Sequence, residues 1–146
     1  MEAFISYDSR IKLDHLALGK RVLPSNLLII RDNVKLGIGF LNIGGSAFTN
    51  RIKNFNELVA SSPNIKFYLL RDEKEGEITA TGGRNRIAQL NNTNNGQFLI
   101  VDKEARVIFE LMYKMIVAIN QNDLDVSIND AIKVVLSRYA NYWLIE

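Results

Sequence analysis

Residues 81–86, Thr-Gly-Gly-Arg-Asn-Arg, are the part of this sequence whose residue types most favour binding of an anion. Consecutive glycines expose backbone N–H groups, and the neighbouring arginines add fixed positive charge, so such a loop could receive a phosphate, a carboxylate or a nucleic-acid backbone. The alternative is an ordinary hairpin turn with solvated arginines. The candidate ligand-binding residues are Gly82, Gly83, Arg84, Asn85 and Arg86, and Arg51 and Lys53 would extend the patch.

Residues with catalytic potential are few. The chain has no cysteine, which excludes disulfides, thiolate metal sites and a cysteine nucleophile, and its one histidine, His15, has no nucleophile-elbow motif to accompany it. Asp72-Glu73-Lys74 matches half of a metal-dependent nuclease site, but no second acidic ligand can be identified from the sequence. The glycines of residues 37–45 lack the lysine of a P-loop. We therefore expect no catalytic residue, metal or cofactor.

Three aromatic residues near the C-terminus, Tyr139, Tyr142 and Trp143, recur at helical spacing. They are either core residues at the end of the last helix or an exposed stripe that holds a second copy or another protein, because aromatic residues dominate interface hot spots. We take them as candidate interface residues.

The secondary structure predicted around the candidate residues is centred on residues 98–120. This stretch reads as a buried strand followed by the longest amphipathic helix of the chain. Its apolar positions share one helical stripe: Val107, Ile108, Leu111, Met112, Met115, Ile116 and Ile119. A second helix is predicted over residues 127–143, where Ser127 and Asp130 form a capping box.

The residue pattern in the first two-thirds of the chain predicts mainly β-strands. Residues 26–43 read as a β-hairpin, in which Gly37 and Gly39 leave one face bare and suggest a bend or the close approach of another backbone. Residues 46–63 favour a helix over a strand. Residues 65–101 read as three or four antiparallel strands, with residues 77–83 as a return strand and residues 84–92 as a third strand.

Length and composition predict a single domain over residues 1–146. Apolar residues make up 47% of the chain and charged residues 23%, and the net charge is only +2, which is a modest charge for a nucleic-acid-binding protein. No apolar run is long enough to cross a membrane, and the N-terminus shows no secretion signal. We therefore expect a cytoplasmic protein.

The stretch GQFLIVDKEARVIFELMYKMI resembles the last strand and capping helix of PH-like domains of the bacterial PH or GRAM type. The resemblance covers the strands within residues 27–101 and the helix at residues 103–119. It implies a small barrel that binds lipid headgroups or proteins and that seldom acts as an enzyme. FLIVD and GSAFTN also resemble half of a phospholipase-D-like protein, but the H-x-K pair that carries that chemistry is absent.

The fold class expected from these patterns is α+β, with an antiparallel sheet or small PH-like barrel covered by an amphipathic helix, plus an extra C-terminal helix. We expect a non-enzymatic intracellular module that acts through protein–protein contacts and associates with itself as a homo-oligomer. The alternative is a protein that binds DNA or RNA through a basic face formed by Lys35, Arg51, Lys53, Arg84 and Arg86. A third and less favoured alternative is a small metal-dependent nuclease around Asp72.

Overall fold

A five-stranded sheet forms the centre of the fold in a computed structural model that describes residues 11–121 and 127–138. Its strands lie in chain order across the sheet: β1 (Ile11–Asp14), β2 (Ser25–Arg31), β3 (Val34–Phe40), β4 (Lys66–Asp72) and β5 (Gly96–Val101). The first three strands are antiparallel to one another, and the last three are parallel. With its helices, this sheet confirms the α+β class. The sheet is mixed and open, however, and is neither wholly antiparallel nor a closed barrel.

The parallel half of the sheet follows from two helical crossovers. Parallel neighbours require a long connection, which is usually a helix. Here α1 (Gly45–Ser61) joins β3 to β4, and α2 (Thr81–Asn91) joins β4 to β5 after a short 3₁₀ turn at Glu73–Glu75. The helix predicted for residues 46–63 is therefore confirmed, and so is the hairpin of β2 and β3.

The strands predicted for residues 77–83 and 84–92 are wrong, because α2 occupies most of that stretch. Gly83 and Leu90 are buried along one side of this helix, and Ile87 between them is half-buried, so these three positions follow helical spacing. Two glycines and three asparagines gave the segment a low helix propensity. Packing of Leu90 into the core outweighs that local preference.

The main core lies between one face of the sheet and both crossover helices. Phe67 and Leu69 of β4 point into it, and α1 contributes Phe55, whose ring meets that of Phe67 edge to face at 5.7 Å between centroids. Nine buried apolar residues form the cluster: Leu41, Phe48, Ile52, Phe55, Leu58, Val59, Phe67, Leu69 and Leu90.

Contacts divide the chain into two compact units, Arg10–Lys103 and the combination of Met1–Ser9 with Glu104–Glu146. The second unit contains nearly all of α3 (Lys103–Asn120) and the whole of α4 (Ile128–Arg138). The predicted Ser127 cap is confirmed, because the Ser127 hydroxyl accepts from the Asp130 N–H at 3.1 Å. The Asp130 carboxylate accepts from the Ser127 hydroxyl at 2.7 Å, whereas in a complete capping box it would accept from the Ser127 backbone N–H. The prediction of a single domain stays a prediction. Among the described helices, none has the length and apolar character needed to cross a membrane.

The side-chain amide of Asn95 joins the C-terminal end of α1 to the start of β5. Its Nδ2 lies 3.0–3.1 Å from the carbonyl oxygens of Val59, Ser62 and Ile65. We expect Asn95→Ala to lower the free energy of unfolding by about 1–2 kcal/mol, since these acceptors lose a shared donor. Urea unfolding would measure this loss, with exposed Asn94→Ala as the matched control. Equal midpoints for the two variants would contradict the expectation.

Candidate functional site

A crevice of about 190 Å³ lies at the carboxyl end of β3 and β4, which is where ligands commonly bind in parallel sheets. The N-termini of α1 and α2 both border it, at Gly44-Gly45 and at Ala80. Neither helix has a side-chain cap or an acidic residue in its first turn. Backbone N–H groups at such a position favour an anion.

Arg71 forms the inner wall of this crevice and is only 3% exposed. Nη1 donates to the carbonyls of Leu41 at 3.0 Å and Ile43 at 2.6 Å, while Nη2 and Nε donate to those of Glu75 at 2.8 Å and Gly76 at 3.2 Å. The guanidinium also lies 5.4 Å from the centre of the Phe48 ring. Arg71 therefore ties together the two chain segments that leave β3 and β4.

The charges around the crevice oppose its use as an anion site. Two exposed carboxylates, Glu75 and Glu77, line it together with the single guanidinium of Arg71. Because the hydrogen bonds of Arg71 go to backbone carbonyls, its donors serve the fold. We therefore assign the crevice a structural role, and Arg71 is the residue here that sequence reasoning missed. Its position in KFYLLRD was a usable signal, since Phe67, Leu69 and Arg71 alternate onto one face.

A second hollow, of about 330 Å³, lies at the opposite end of β4 and β5 and is lined mainly by amide side chains. The amide of Asn95 already holds three carbonyls, and the Asn91 side-chain oxygen accepts from the N–H of Phe98 at 2.8 Å. Lys66 is the one ionisable side chain in this lining. The hydrogen bonds of Asn91 and Asn95 therefore stabilise the turn and the edge of β5.

The glycine-arginine stretch predicted as an open turn is the start of α2. Gly82 is exposed, but Gly83 is buried, and a Cβ at position 83 would lie 2.6 Å from the Ile78 side chain. Gly83 therefore serves close packing. Arg84 and Asn85 are exposed, while Arg86 is half-buried and its Nη1 donates to the side chain of Gln89 at 2.9 Å.

The basic residues of the nucleic-acid hypothesis that are two positions apart point to different sides of their helices. Residues two apart on a helix point about 200° away from each other, which separates Arg51 from Lys53 on α1 and Arg84 from Arg86 on α2. Lys35 lies at the start of β3, whereas α1 begins at the other end of that strand. The nucleic-acid hypothesis stays a prediction.

The two residues weighed for catalysis both have structural partners. His15 Nδ1 lies 2.8 Å from the carbonyl oxygen of Asn26, and the Asp72 carboxylate accepts from the N–H of Lys74 at 2.9 Å, which caps the 3₁₀ turn. Within residues 11–121 and 127–138, no three His, Asp or Glu side chains are grouped so that they could hold a metal ion.

The surface of the described residues best suited to a partner lies on α3. The apolar arc predicted for this helix spans about half its circumference. Ile108 at its centre is buried, but Val107 and Leu111 on its flank are 44% and 56% exposed. The apolar stripe predicted for this helix is therefore exposed at these two positions. Tyr113 and, on α4, Val134 are also exposed.

The proposed aromatic interface falls outside the described residues, because Tyr139, Tyr142 and Trp143 follow the last described position of α4. No protein-family model matches this chain, and no curated protein or solved structure matches it. The resemblance to PH-like modules therefore also stays a prediction.

Proposed function

We propose that this protein is a non-enzymatic interaction module that acts through protein–protein contacts of its C-terminal helices and associates with itself. The observation that supports this is the exposed apolar surface of α3, where two large side chains one turn apart, Val107 and Leu111, are about half accessible to water. Apolar side chains grouped in this way are typical of contact surfaces, whereas single exposed apolar residues are common on any protein. The crevice and the hollow beside the sheet, in contrast, each contain a polar side chain, Arg71 or Asn95, whose hydrogen bonds go to backbone carbonyls of the fold.

We place the module in the cytoplasm. A chain without cysteine needs no oxidising compartment to reach its folded state, which favours a reducing environment.

The solution mass of the full chain, measured by light scattering over a range of concentrations, tests this function. We expect the average mass to rise with concentration from the 16.6 kDa of one chain towards a discrete multiple of it, and to stay the same when mixed-sequence DNA or RNA is added. A monomer at every concentration up to the solubility limit would contradict self-association.

The same measurement at low and high salt distinguishes nucleic-acid binding from self-association. A complex with DNA or RNA that weakens steeply with salt would show phosphate contacts, because each neutralised phosphate contributes close to one unit of log–log slope. That outcome would replace the proposed function with nucleic-acid binding.

A further inference from the structure

We infer that two copies of this chain associate through α3, with the two helices packed antiparallel along one stripe of residues. This inference rests on the proposed self-association and specifies its surface. The α3 stripe comprises Glu104, Val107, Leu111, Lys114 and Ala118.

The spacing of the α3 stripe is the spacing of a helix–helix seam. Its members follow one another at intervals of three, four, three and four residues, the a/d pattern by which two helices interlock side chains. Positions three and four apart are neighbours on a helix surface, so the five residues form one continuous row.

The row is accessible to a second helix. Its two central residues, Val107 and Leu111, are 44% and 56% exposed, Glu104 and Lys114 are exposed, and Ala118 is half-buried. The apolar pair therefore lies between an acidic residue on one side and a basic residue on the other.

This order of charges selects a second copy in antiparallel orientation. With a two-fold axis passing beside residue 109, Val107 of each chain faces Leu111 of the other, and Glu104 faces Lys114 at both ends of the contact. Parallel packing in register would instead place Glu104 against Glu104 and Lys114 against Lys114, and like charges at an interface oppose association. The four residues Glu104, Val107, Leu111 and Lys114 are thus complementary to their own reverse, and Ala118 lies beyond the paired segment.

Lys114 can serve this contact without losing its present partner. Its Nζ lies 2.9 Å from the Glu110 carboxylate of the same chain, with both side chains more than half exposed. An ammonium group has three donors, so Lys114 can contact Glu110 and Glu104 of the second copy together.

The association should be weak and reversible. The paired segment from Glu104 to Lys114 is about 15 Å long at 1.5 Å per residue. One pair of helices of this length buries less than the ~1,200 Å² of a standard interface, so we expect a transient dimer.

Reversing the charge of Glu104 or of Lys114 in the full-length chain tests the antiparallel pairing of the two helices. We expect Glu104→Lys and Lys114→Glu each to weaken the dimer about tenfold or more, because each variant alone places like charges at both ends of the contact. An equal mixture of the two variants should restore association, since every charged pair in the mixed dimer is again opposite in sign. The double variant E104K/K114E should also associate. Sedimentation velocity at equal total protein concentration measures the association of all four samples: the two single variants, their mixture and the double variant.

Matched controls distinguish this surface from a general effect of charge. Lys53→Glu reverses an exposed lysine on α1, and Tyr113→Glu adds a charge to α3 about 200° away from Leu111, so both should leave the dimer unchanged. Leu111→Glu should abolish it. Restoration by mixing also excludes misfolding as the cause of the single defects.

The outcomes separate this inference from the proposed function. If the unaltered chain is a monomer throughout, the self-association itself is wrong. If the unaltered chain associates and E104K, K114E and Leu111→Glu all associate equally well, self-association is correct. The α3 stripe is then not the surface through which the two copies associate. If both charge variants are weak and their mixture stays weak, the antiparallel register is overturned.

Discussion

Replacing Arg71 by leucine is expected to lower the free energy of unfolding by about 3–5 kcal/mol, because each buried carbonyl left without a donor costs roughly 1–3 kcal/mol and water can reach only some of them. The side chain is 3% exposed, and its three nitrogens donate to the carbonyls of Leu41, Ile43, Glu75 and Gly76. These four acceptors belong to the segments that follow β3 and β4, so one side chain holds two loops in place.

The arrangement requires a guanidinium, since its planar fork reaches acceptors in several directions. Arg71→Lys should therefore recover only a small part of the loss, because an ammonium group on a flexible stem cannot span both loops. Arg84→Leu is the matched control. Arg84 is exposed on α2, and its replacement should change the free energy of unfolding by no more than about 0.5 kcal/mol.

Urea unfolding followed by far-ultraviolet circular dichroism would measure these differences. An unfolding midpoint for Arg71→Leu close to that of the unaltered chain would show that the four carbonyls find other donors, and that Arg71 is not what joins the loops.

Replacing Phe67 by alanine is expected to cost about 3–5 kcal/mol, as is usual when a buried phenylalanine is truncated. Phe67 is fully buried at the centre of the core and packs edge to face on Phe55. Its ring also lies over Gly37 of the neighbouring strand, where an added Cβ would come 2.6 Å and 2.7 Å from two ring carbons. The Phe67 ring therefore packs directly against the backbone of Gly37, where no side chain is in the way.

This contact gives a second, more specific expectation. Gly37→Ala should cost about 1–3 kcal/mol through overpacking. Combined with Phe67→Leu, whose smaller side chain has no ring at that place, it should cost less than the sum of the single changes by about 0.5–3 kcal/mol, the range found for residues in contact.

Gly44→Ala serves as the control for Gly37→Ala, because no atom lies within 4 Å of a Cβ there and its φ of −122° suits any residue. As an N-cap position it should cost no more than about 1 kcal/mol. Strict additivity of Gly37→Ala and Phe67→Leu in urea unfolding would show that the strain arises elsewhere.

Local patterns of the sequence predicted several elements because their signals are complete within a few residues. The hairpin of β2 and β3 has a short apolar run before its polar turn and strand alternation after it. The turn residues are Asp32 and Asn33, and Asp32 adopts a positive φ of 53° that aspartate tolerates. Ser127 and Asp130 cap α4 through hydrogen bonds three residues apart. The pair of glycines in β3 suggested a bend or the close approach of another backbone. The approaching groups are side chains instead, the Phe67 ring at Gly37 and the side chains of Leu69 and Phe55 at Gly39.

The sequence by itself determined the α+β class, the hairpin, the helix at residues 103–120 and the cap of α4, because periodicity and capping act over one or two turns of chain. It favoured a helix over a strand at residues 46–61 without deciding between them, and the structure shows the helix. Only the tertiary structure decided that residues 81–91 are a helix, that half of the sheet is parallel, that Arg71 joins two loops and that Val107 and Leu111 remain exposed. Each of these depends on neighbours 20 to 40 residues away or on which side of a wide apolar arc is covered. Local propensity contains neither kind of information, so packing against distant residues decided them.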